Sequence, residues 1–383
     1  MQRTVFDADQ EAFRSVVREF LAREVVPVFG EWERAGRVPR SFYRRAGELG
    51  MTSLQVPEKF GGGGAATFKY NCVMNEEAQH ALVNLGGLRV HLDVALPYLL
   101  AYASQEQQAR WLPPIAAGDC TTSIAMSEPG TGSDLASIST TARRDGDSYV
   151  LSGAKTFISG GAQASLVLVI ARTSPRQEHD RRAGLSILVV EDGMPGFSRG
   201  RTLDKLGLHA QDTTELFFDE VRVPAANLLG AEGAAFGYLL RNLPQERLTI
   251  AVGSQAAAAA AIQLTTSYVR ERHIFGQPLG SFQNTKFVLA GCSAEAAAGQ
   301  ALVDAAIEAH DHGELTAADA ARVKLFTTEM QARVVDRCLQ LFGGYGFTRD
   351  YPISRLYADA RVTRIYGGSS EVMKSIISKD LGL

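Results

Sequence analysis

The chain has 383 residues, of which 45% are hydrophobic, and its formal net charge is −3. This length supports a large buried core divided among two or three domains. The near-neutral charge argues against a dedicated nucleic-acid-binding protein, since such proteins usually carry a basic surface.

Cysteine usage and the N-terminus bear on the cellular compartment. The cysteines, Cys72, Cys120, Cys292 and Cys338, form no C-x-x-C pair, which is typical of free thiols in a reducing environment. The opening residues, MQRTVFDADQ, lack the apolar core of a signal peptide, and no apolar run reaches the roughly 18 residues of a membrane span. We therefore expect a cytoplasmic protein with no membrane span.

Residues 1–118 are predicted to form an N-terminal helical domain. One face of its first helix is marked by apolar residues at helical spacing, namely Phe13, Val16, Val17, Phe20 and Leu21. The long segment 72–112 shows a similar period.

Residues 119–228 have the composition of a β domain. The runs SLVLVIART, LSILVVED and ELFFDEVRVP are short, rich in β-branched residues and separated by turn signals such as RDGDS. With no helices between them, these runs favour a small antiparallel barrel or sandwich.

Residues 229–383 are predicted to form a C-terminal four-helix bundle. Six consecutive alanines, residues 256–261, would let helices pack closely inside it. The fold class is therefore α+β, with a β domain between two helical ones.

Two motifs in the middle of the chain suit a flat polar ligand. AMSEPGTGSD, residues 125–134, is a loop of hydroxyls and bare N–H groups, although for this segment alone a solvated turn is the plainer interpretation. In GAKTFISGG, residues 153–161, Phe157 and Ser159 would point the same way along a strand. Phe157 could stack on a ring, or it could be an ordinary core residue.

Two further motifs lie in the helical C-terminal part. RERHIFGQPLGSFQ, residues 270–283, follows a long helical period that we expect to end at Phe275 and Gly276. An arginine beside such a glycine-bounded turn suits a phosphate group, although a solvated basic helix end is the plainer interpretation. QLFGGYGFTRD, residues 340–350, contains a glycine turn after a helix.

The stretch IYGGSSEVMKSI, residues 365–376, is predicted to be a glycine elbow that opens a helix. Small residues allow close approach of a ligand, and a helix start offers free N–H donors. The elbow itself contains no acid or base, so a reactive group would have to come from elsewhere.

Taken in order, these motifs resemble those of the acyl-CoA dehydrogenase family over nearly the whole chain. The resemblance implies FAD as cofactor and oxidation of an acyl-CoA to trans-2-enoyl-CoA, in fatty acid β-oxidation. It assigns FAD contacts to Met126, Ser127, Gly132, Ser133, Phe157, Ser159, Arg272, Phe275, Gln283, Gln340, Gly343, Gly344 and Ser369. It assigns substrate contacts to Ser133, Arg247, Tyr366 and Gly367.

The elbow departs from the commonest family pattern at Gly367, where many members carry the catalytic glutamate. Glu371 lies one helical turn further on and is a poor replacement. The sequence QERL instead resembles the long-chain and isovaleryl-CoA dehydrogenases, which carry the base on an inner helix directly before an arginine. The resemblance therefore implies that Glu246 is the base and that the Gly367 N–H binds the thioester oxygen. From Pro244 we expect Glu246 near the start of a helix.

Partners and rival functions follow from the same resemblance. It implies an acyl-CoA substrate, electron-transfer flavoprotein as acceptor, and a homotetramer or at least a homodimer. The small residues Gly86, Gly87 and Ala251, with the position of the base, favour a long or branched acyl chain. An acyl-CoA oxidase, a carrier-protein thioester dehydrogenase and a non-catalytic partner subunit remain the alternatives.

Overall fold

The structure is a computed structural model that describes residues 3–177 and 179–383. Helices fill both ends of the chain and strands its middle, which confirms the predicted α+β class. The helices are α1 Ala8–Phe20, α2 Phe29–Ala35, α3 Arg40–Glu48, α4 Lys69–His80, α5 Leu96–Tyr102, α6 Gln105–Ala116, α7 Ala235–Glu271, α8 Gln283–Asp311, α9 Ala317–Phe342, α10 Pro352–Ala360 and α11 Ser370–Asp380. The strands are β1 Thr122–Ala125, β2 Thr141–Asp145, β3 Ser148–Ser159, β4 Leu166–Arg172, β5 Leu185–Glu191, β6 Phe197–Thr202, β7 Thr213–Pro224, β8 Leu228–Leu229, β9 His273–Ile274 and β10 Gln277–Pro278.

Helix α1 begins at a capping box in which Asp7 and Gln10 satisfy each other's backbone N–H groups. Val17 and Phe20 are buried as predicted, whereas Val16 is 45% exposed. Val16 lies at the edge of the apolar stripe, and the stripe facing the core is narrower than the sequence suggests.

Helix α4 is the central helix of the N-terminal domain. Every residue from Asn71 to Ala78 is buried, because α1 packs on one side of it and α7 on another. Glu76 of α4 binds the N-terminal segment, because it accepts a hydrogen bond from Arg3 at 2.8 Å. Arg3 also donates to Asp304 of α8 at 2.7 Å. This clamp joins residues that are 301 positions apart in the chain.

The main sheet has the strand order β6-β7-β3-β2-β4-β5-β8, with β1 beside β4. The prediction of a purely antiparallel β domain is wrong at β1, which pairs with β4 in parallel from Thr122 to Ala125. Because β1 enters directly from the helical domain, it runs alongside β4 instead of returning from it by a hairpin. The sheet is therefore mixed.

The C-terminal domain consists of three long helices, α7, α8 and α9, with the shorter α10 and α11 packed against α9. This confirms the predicted C-terminal helical domain. The alanines 256–261 lie on α7, and all but Ala259 are buried, which lets α9 approach closely. Helix α7 is long and apolar enough to span a membrane, but 78% of that apolar stretch is buried inside the protein.

Two sequence motifs have local structures that differ from prediction. Helix α7 ends at Glu271, and residues 273–278 form the small hairpin β9–β10, so the helix does not reach Phe275. Phe275 and Gly276 both have positive φ, 48° and 80°, as the two central residues of a tight hairpin turn require.

Candidate active site

Glu246 lies in the interior of α7, not near a helix start as predicted. The helix begins at Ala235 and continues through Pro244, so the proline marks no boundary here. Glu246 is only 7% exposed, so it is not a surface acid. Tyr98 of α5 donates a hydrogen bond to Glu246 Oε1 at 2.9 Å.

Burial determines the acidity of this carboxyl group. Desolvation raises the pKa of Glu246 to about 7, although the hydrogen bond from Tyr98 and the charge of Arg247 act in the opposite direction. A carboxylate whose pKa lies near neutrality is well suited to accept a proton at physiological pH. Glu246 has no other titratable hydrogen-bond partner among the residues that the structure describes.

Gly367 faces the same helix one turn beyond Glu246. Its φ is +62°, and a Cβ built on it would lie within 3.0 Å of Ile250 Cδ1. Ile250 follows Glu246 by four residues, so the two side chains lie on one face of α7. The glycine elbow therefore packs on α7 one helical turn from Glu246.

A buried lysine supports the elbow. Lys324 of α9 is 1% exposed and donates from Nζ to the Gly368 carbonyl at 2.5 Å. Desolvation and the nearby charge of Arg247 lower the pKa of Lys324 to about 8. Sequence analysis missed Lys324, because a lysine inside a long helix carries no sequence signal of its burial.

The elbow continues into α11. Ser369 is the N-cap of that helix, and its hydroxyl accepts the Val372 N–H at 3.4 Å. Glu371 is exposed in the first turn, away from the buried carboxylate. Tyr366 precedes Gly367, and its hydroxyl accepts a hydrogen bond from Arg89 at 2.9 Å.

The two motifs of the β domain meet side by side. The Thr156 N–H donates to the Ser127 carbonyl at 3.0 Å, and Ser123 Oγ donates to the Ser159 carbonyl at 2.8 Å. Gln211, which sequence analysis did not identify, donates to Ser159 Oγ at 3.0 Å. Met126 and Ser127 are half-buried at this junction.

Phe157 presents an uncovered aromatic ring at this junction. The residue has a φ of 59° within an irregularity of the β3–β7 pairing, and its side chain is 68% exposed. A bulge of this kind re-aims a side chain away from the sheet, and the exposure excludes an ordinary core phenylalanine.

A buried ion pair holds the loop that leads to Gly132 and Ser133. Lys155 Nζ donates to Glu128 Oε1 at 2.9 Å and to the Met126 carbonyl at 3.0 Å. Gly132 and Ser133 are exposed, and a Cβ at Gly132 would meet no atom within 4 Å. The open loop, the uncovered ring of Phe157 and the adjacent hydroxyls fit a flat, phosphorylated cofactor.

The two C-terminal motifs lie together at one end of the helical domain. The guanidinium of Arg272 lies 5.4 Å from the ring centroid of Tyr345, within the glycine turn after α9. The residues of these motifs that the family resemblance assigns to FAD are all exposed in the single chain, namely Arg272, Phe275, Gln283, Gln340, Gly343 and Gly344. In the described parts of the chain they make no hydrogen bond to the β-domain motifs.

The two glycines predicted to border the acyl pocket lie at close contacts between segments, and Gly86 also lines the cleft beside α4. A Cβ at Gly86 would lie 2.6 Å from Val38 Cγ2, and one at Gly87 would lie 3.0 Å from Gly160 Cα. Both glycines are therefore needed for close packing between segments.

Three family models match the chain. They are described as the acyl-CoA dehydrogenase N-terminal domain over residues 7–119, the middle domain over 123–221 and the C-terminal domain over 233–382. The chain is 40% identical to a long-chain specific acyl-CoA dehydrogenase of Sus scrofa, across 99% of this chain and 88% of that protein.

Solved structures give the same result. An acyl-CoA dehydrogenase from Geobacillus kaustophilus has a TM-score of 0.97 and 44% identity, with both chains covered completely. A glutaryl-CoA dehydrogenase from Mycobacterium smegmatis in complex with FADH2 has a TM-score of 0.89 and 28% identity, covering 98% of this chain and 95% of that one.

Fold and site together define a flavin-dependent oxidoreductase. More particularly, the chain belongs to the acyl-CoA dehydrogenase family, whose members are FAD-binding flavoproteins. This confirms the resemblance and FAD as the cofactor.

Proposed function

We propose that the protein converts an acyl-CoA thioester into its trans-2-enoyl form, with Glu246 as the base that removes the α-proton. The observation that carries this proposal is the position of Glu246. Its carboxyl group is buried, is held by Tyr98 and lies one helical turn from the residue that packs against the Gly367 elbow.

Each group in the site has a proposed task. Tyr98 orients the carboxylate toward the α-carbon, and the Gly367 N–H stabilises the negative charge that develops on the thioester oxygen. Lys324 fixes the elbow through the Gly368 carbonyl. Arg247 and Tyr366 contact the substrate around the thioester, and burial excludes water from the base.

A bound FAD supplies the two-electron acceptor for the reaction. Met126, Ser127, Phe157, Ser159 and Ser369 would hold its ring, and Gly132 and Ser133 would hold its diphosphate. Ser133 would also contact the acyl-CoA.

The decisive experiment is anaerobic flavin bleaching by acyl-CoA thioesters. We expect Glu246→Gln to retain FAD but to lose at least about a thousandfold in bleaching rate, because general base catalysis is lost. The matched control is Glu371→Gln, which changes an exposed glutamate in the same way. Bleaching of Glu246→Gln at the wild-type rate would contradict the assignment, and a colourless wild-type protein would favour a non-catalytic subunit.

We propose electron-transfer flavoprotein as the acceptor, on the grounds of family membership. Stopped-flow reoxidation tests this, because the proposal requires slow reaction with air and fast reaction with electron-transfer flavoprotein. The reverse pattern would identify an oxidase. Replacing CoA by a carrier protein in the bleaching assay tests the remaining alternative.

We also propose that the protein is a homotetramer, or at least a homodimer, in which a second subunit completes the FAD site. Phe275 and Phe347 are 92% and 94% exposed in the single chain, beside Arg272 and the Tyr345 turn. Large uncovered aromatic residues of this kind are typical of contact surfaces. Sedimentation of the holoprotein gives the subunit number.

A further inference from the structure

A cleft runs between α4 and the segment 83–93, and it belongs to the proposed active site. One end is lined by Gln211, which donates to Ser159 Oγ. Arg89 also lines the cleft, and it binds the hydroxyl of Tyr366 beside the elbow. An acyl chain whose thioester lies at Gly367 would extend into this space.

The lining of this cleft is unusually polar for an acyl pocket. Asn71, Asn75, Arg89 and Asp93 all contribute to it. Residues Val90–Ala95 form a π-helical turn directly after Arg89, a feature that often occurs at functional sites. Arg89, directly before this turn, and Asp93, within it, both line the cleft.

Asn71, Asn75 and Asp93 are already engaged within the protein. Asp93 accepts hydrogen bonds from Asn71 Nδ2 at 2.8 Å and from the Thr249 hydroxyl. Asn75 Nδ2 donates to the Thr249 carbonyl at 2.8 Å. These residues therefore form a connected network with little capacity left for a ligand.

Arg89 differs because most of its donors are free. A guanidinium has five N–H donors, yet its one hydrogen bond to the described residues runs from Nη2 to the Tyr366 hydroxyl. Nη1 faces Gly253, where a Cβ would lie 3.3 Å away, so the glycine makes room for the group.

The charge of Arg89 also lacks an ion-pair partner. Within residues 3–177 and 179–383, no carboxylate oxygen lies within 4.0 Å of its nitrogens. Asp93 is the nearest acid that acts on it, but its oxygens are occupied by Asn71 and Thr249. Glu76 is bound by Arg3 and Arg14, and Glu246 is held by Tyr98. Arg89 is half-buried and lines the cleft, so its unbonded donors can pair with a negatively charged group of a ligand there.

We propose that Arg89 binds a carboxylate at the far end of the acyl chain, so that the preferred substrates are CoA thioesters of short dicarboxylic acids. The planar guanidinium can bind a carboxylate through two parallel hydrogen bonds. The diacid is short because Arg89 touches Tyr366, the neighbour of Gly367. This inference rests on the proposed dehydrogenation. A short dicarboxylic acyl chain differs from the long or branched chain expected from the sequence. That expectation rested in part on the position of the base, which determines only where the reacting α-carbon lies.

The test is anaerobic flavin bleaching of the holoenzyme by matched thioesters. The panel contains five- and six-carbon chains that end in a methyl group, a hydroxyl group or a carboxylate. We expect kcat/KM for the carboxylate series to exceed that of the methyl series at least tenfold. Arg89→Gln should lower the carboxylate value at least tenfold and leave the methyl value within about threefold. Arg143→Gln, which alters an exposed arginine of β2, is the matched control and should change neither.

Each other outcome has a definite meaning. Preference for the methyl series, with equal effects of Arg89→Gln on all three series, would overturn the carboxylate proposal while leaving the dehydrogenase intact. Equal losses on the hydroxyl and carboxylate series would also overturn it, since uncharged polar recognition would explain them. Bleaching only by long-chain acyl-CoA would overturn the carboxylate proposal and leave the dehydrogenase intact, whereas absence of bleaching by the panel and by long-chain acyl-CoA, with FAD bound, would refute the proposed function.

Discussion

Glu246 occupies an environment that opposes its own ionisation. Desolvation favours the protonated form, so between pH 4.5 and about 7 the folded protein binds more protons at this site than the unfolded chain does. Stability therefore falls as pH rises through this window. The protein keeps this carboxyl group at a cost in stability, as expected for the proton transfer proposed for it.

We predict that Glu246→Gln stabilises the protein at alkaline pH. The amide carries no charge to desolvate and can still accept the Tyr98 hydrogen bond, so the gain should grow from pH 5 to pH 8, up to about 3 kcal/mol. Thermal unfolding at the two pH values measures it. Glu371→Gln, on an exposed residue, should show no such growth; an equal gain at both pH values would contradict the role of ionisation.

The hydroxyl of Tyr98 should set the pH dependence of catalysis. We expect the bleaching rate of the wild type to rise with pH through about 7, as Glu246 loses its proton. Tyr98→Phe removes a hydrogen bond that favours the carboxylate, so its profile should move to higher pH.

At pH 6 we expect Tyr98→Phe to be about tenfold slower than the wild type, with the difference disappearing at high pH. Tyr102→Phe is the control, since that ring stacks on Tyr238 at 3.8 Å instead. A uniform loss at every pH would indicate a merely structural role for Tyr98.

Single residues were predictable from sequence where a motif carries them. Glu246 and Gly367 were proposed together because their joint pattern matches one branch of the family, and Phe157 was proposed because it lies in the motif GAKTFISGG. Tyr98, Lys324 and Gln211 were missed, since each acts through a contact between segments distant in the chain. Ordinary helix and loop positions give no sign of such contacts.

At the scale of elements, the packing of the elbow on α7 limits where the base can be placed. Gly367 has positive φ, and any side chain there would collide with Ile250. A glutamate at 367 thus needs both a strained backbone and the space that Ile250 fills.

We predict that Glu246→Gly/Gly367→Glu recovers little activity by itself. Adding Ile250→Ala should raise turnover at least tenfold over this double variant, because it clears the collision, although the cavity would cost about 2–5 kcal/mol of stability. Glu246→Gly/Ile250→Ala lacks a new carboxylate and is the control. If the triple variant bound FAD but gained nothing, the two positions would not serve one α-carbon.

Element types followed well from periodicity, but element ends did not. Pro244 predicted a helix start, yet α7 passes through it because packing on α4 and α9 outweighs the missing hydrogen bond. The hairpin after Glu271 was missed because its two-residue strands are too short to show alternation. The parallel pairing of β1 depends on the position at which the chain leaves the N-terminal helical domain and enters the sheet, and the sequence of β1 does not encode that position.

At the scale of the molecule, the C-terminal motifs should bind FAD only in an assembly. We predict that Arg272→Gln weakens FAD binding about tenfold or more, since a charge-assisted contact with phosphate is lost. Flavin content after gel filtration measures this, with Arg143→Gln as control. Full flavin retention in a sedimenting monomer would contradict a shared site.

The burial of α4 between α1 and α7 has a consequence for the nascent chain on the ribosome. Residues Asn71–Ala78 need α7 to cover them, and α7 begins about 155 residues after α4 ends. At about 5–20 residues per second, the ribosome requires roughly 8–30 s to add that length. The Arg3–Asp304 clamp closes later still. Throughout this interval the first domain carries an uncovered apolar surface, so a chain released early would be a substrate for chaperones and not a smaller folded protein.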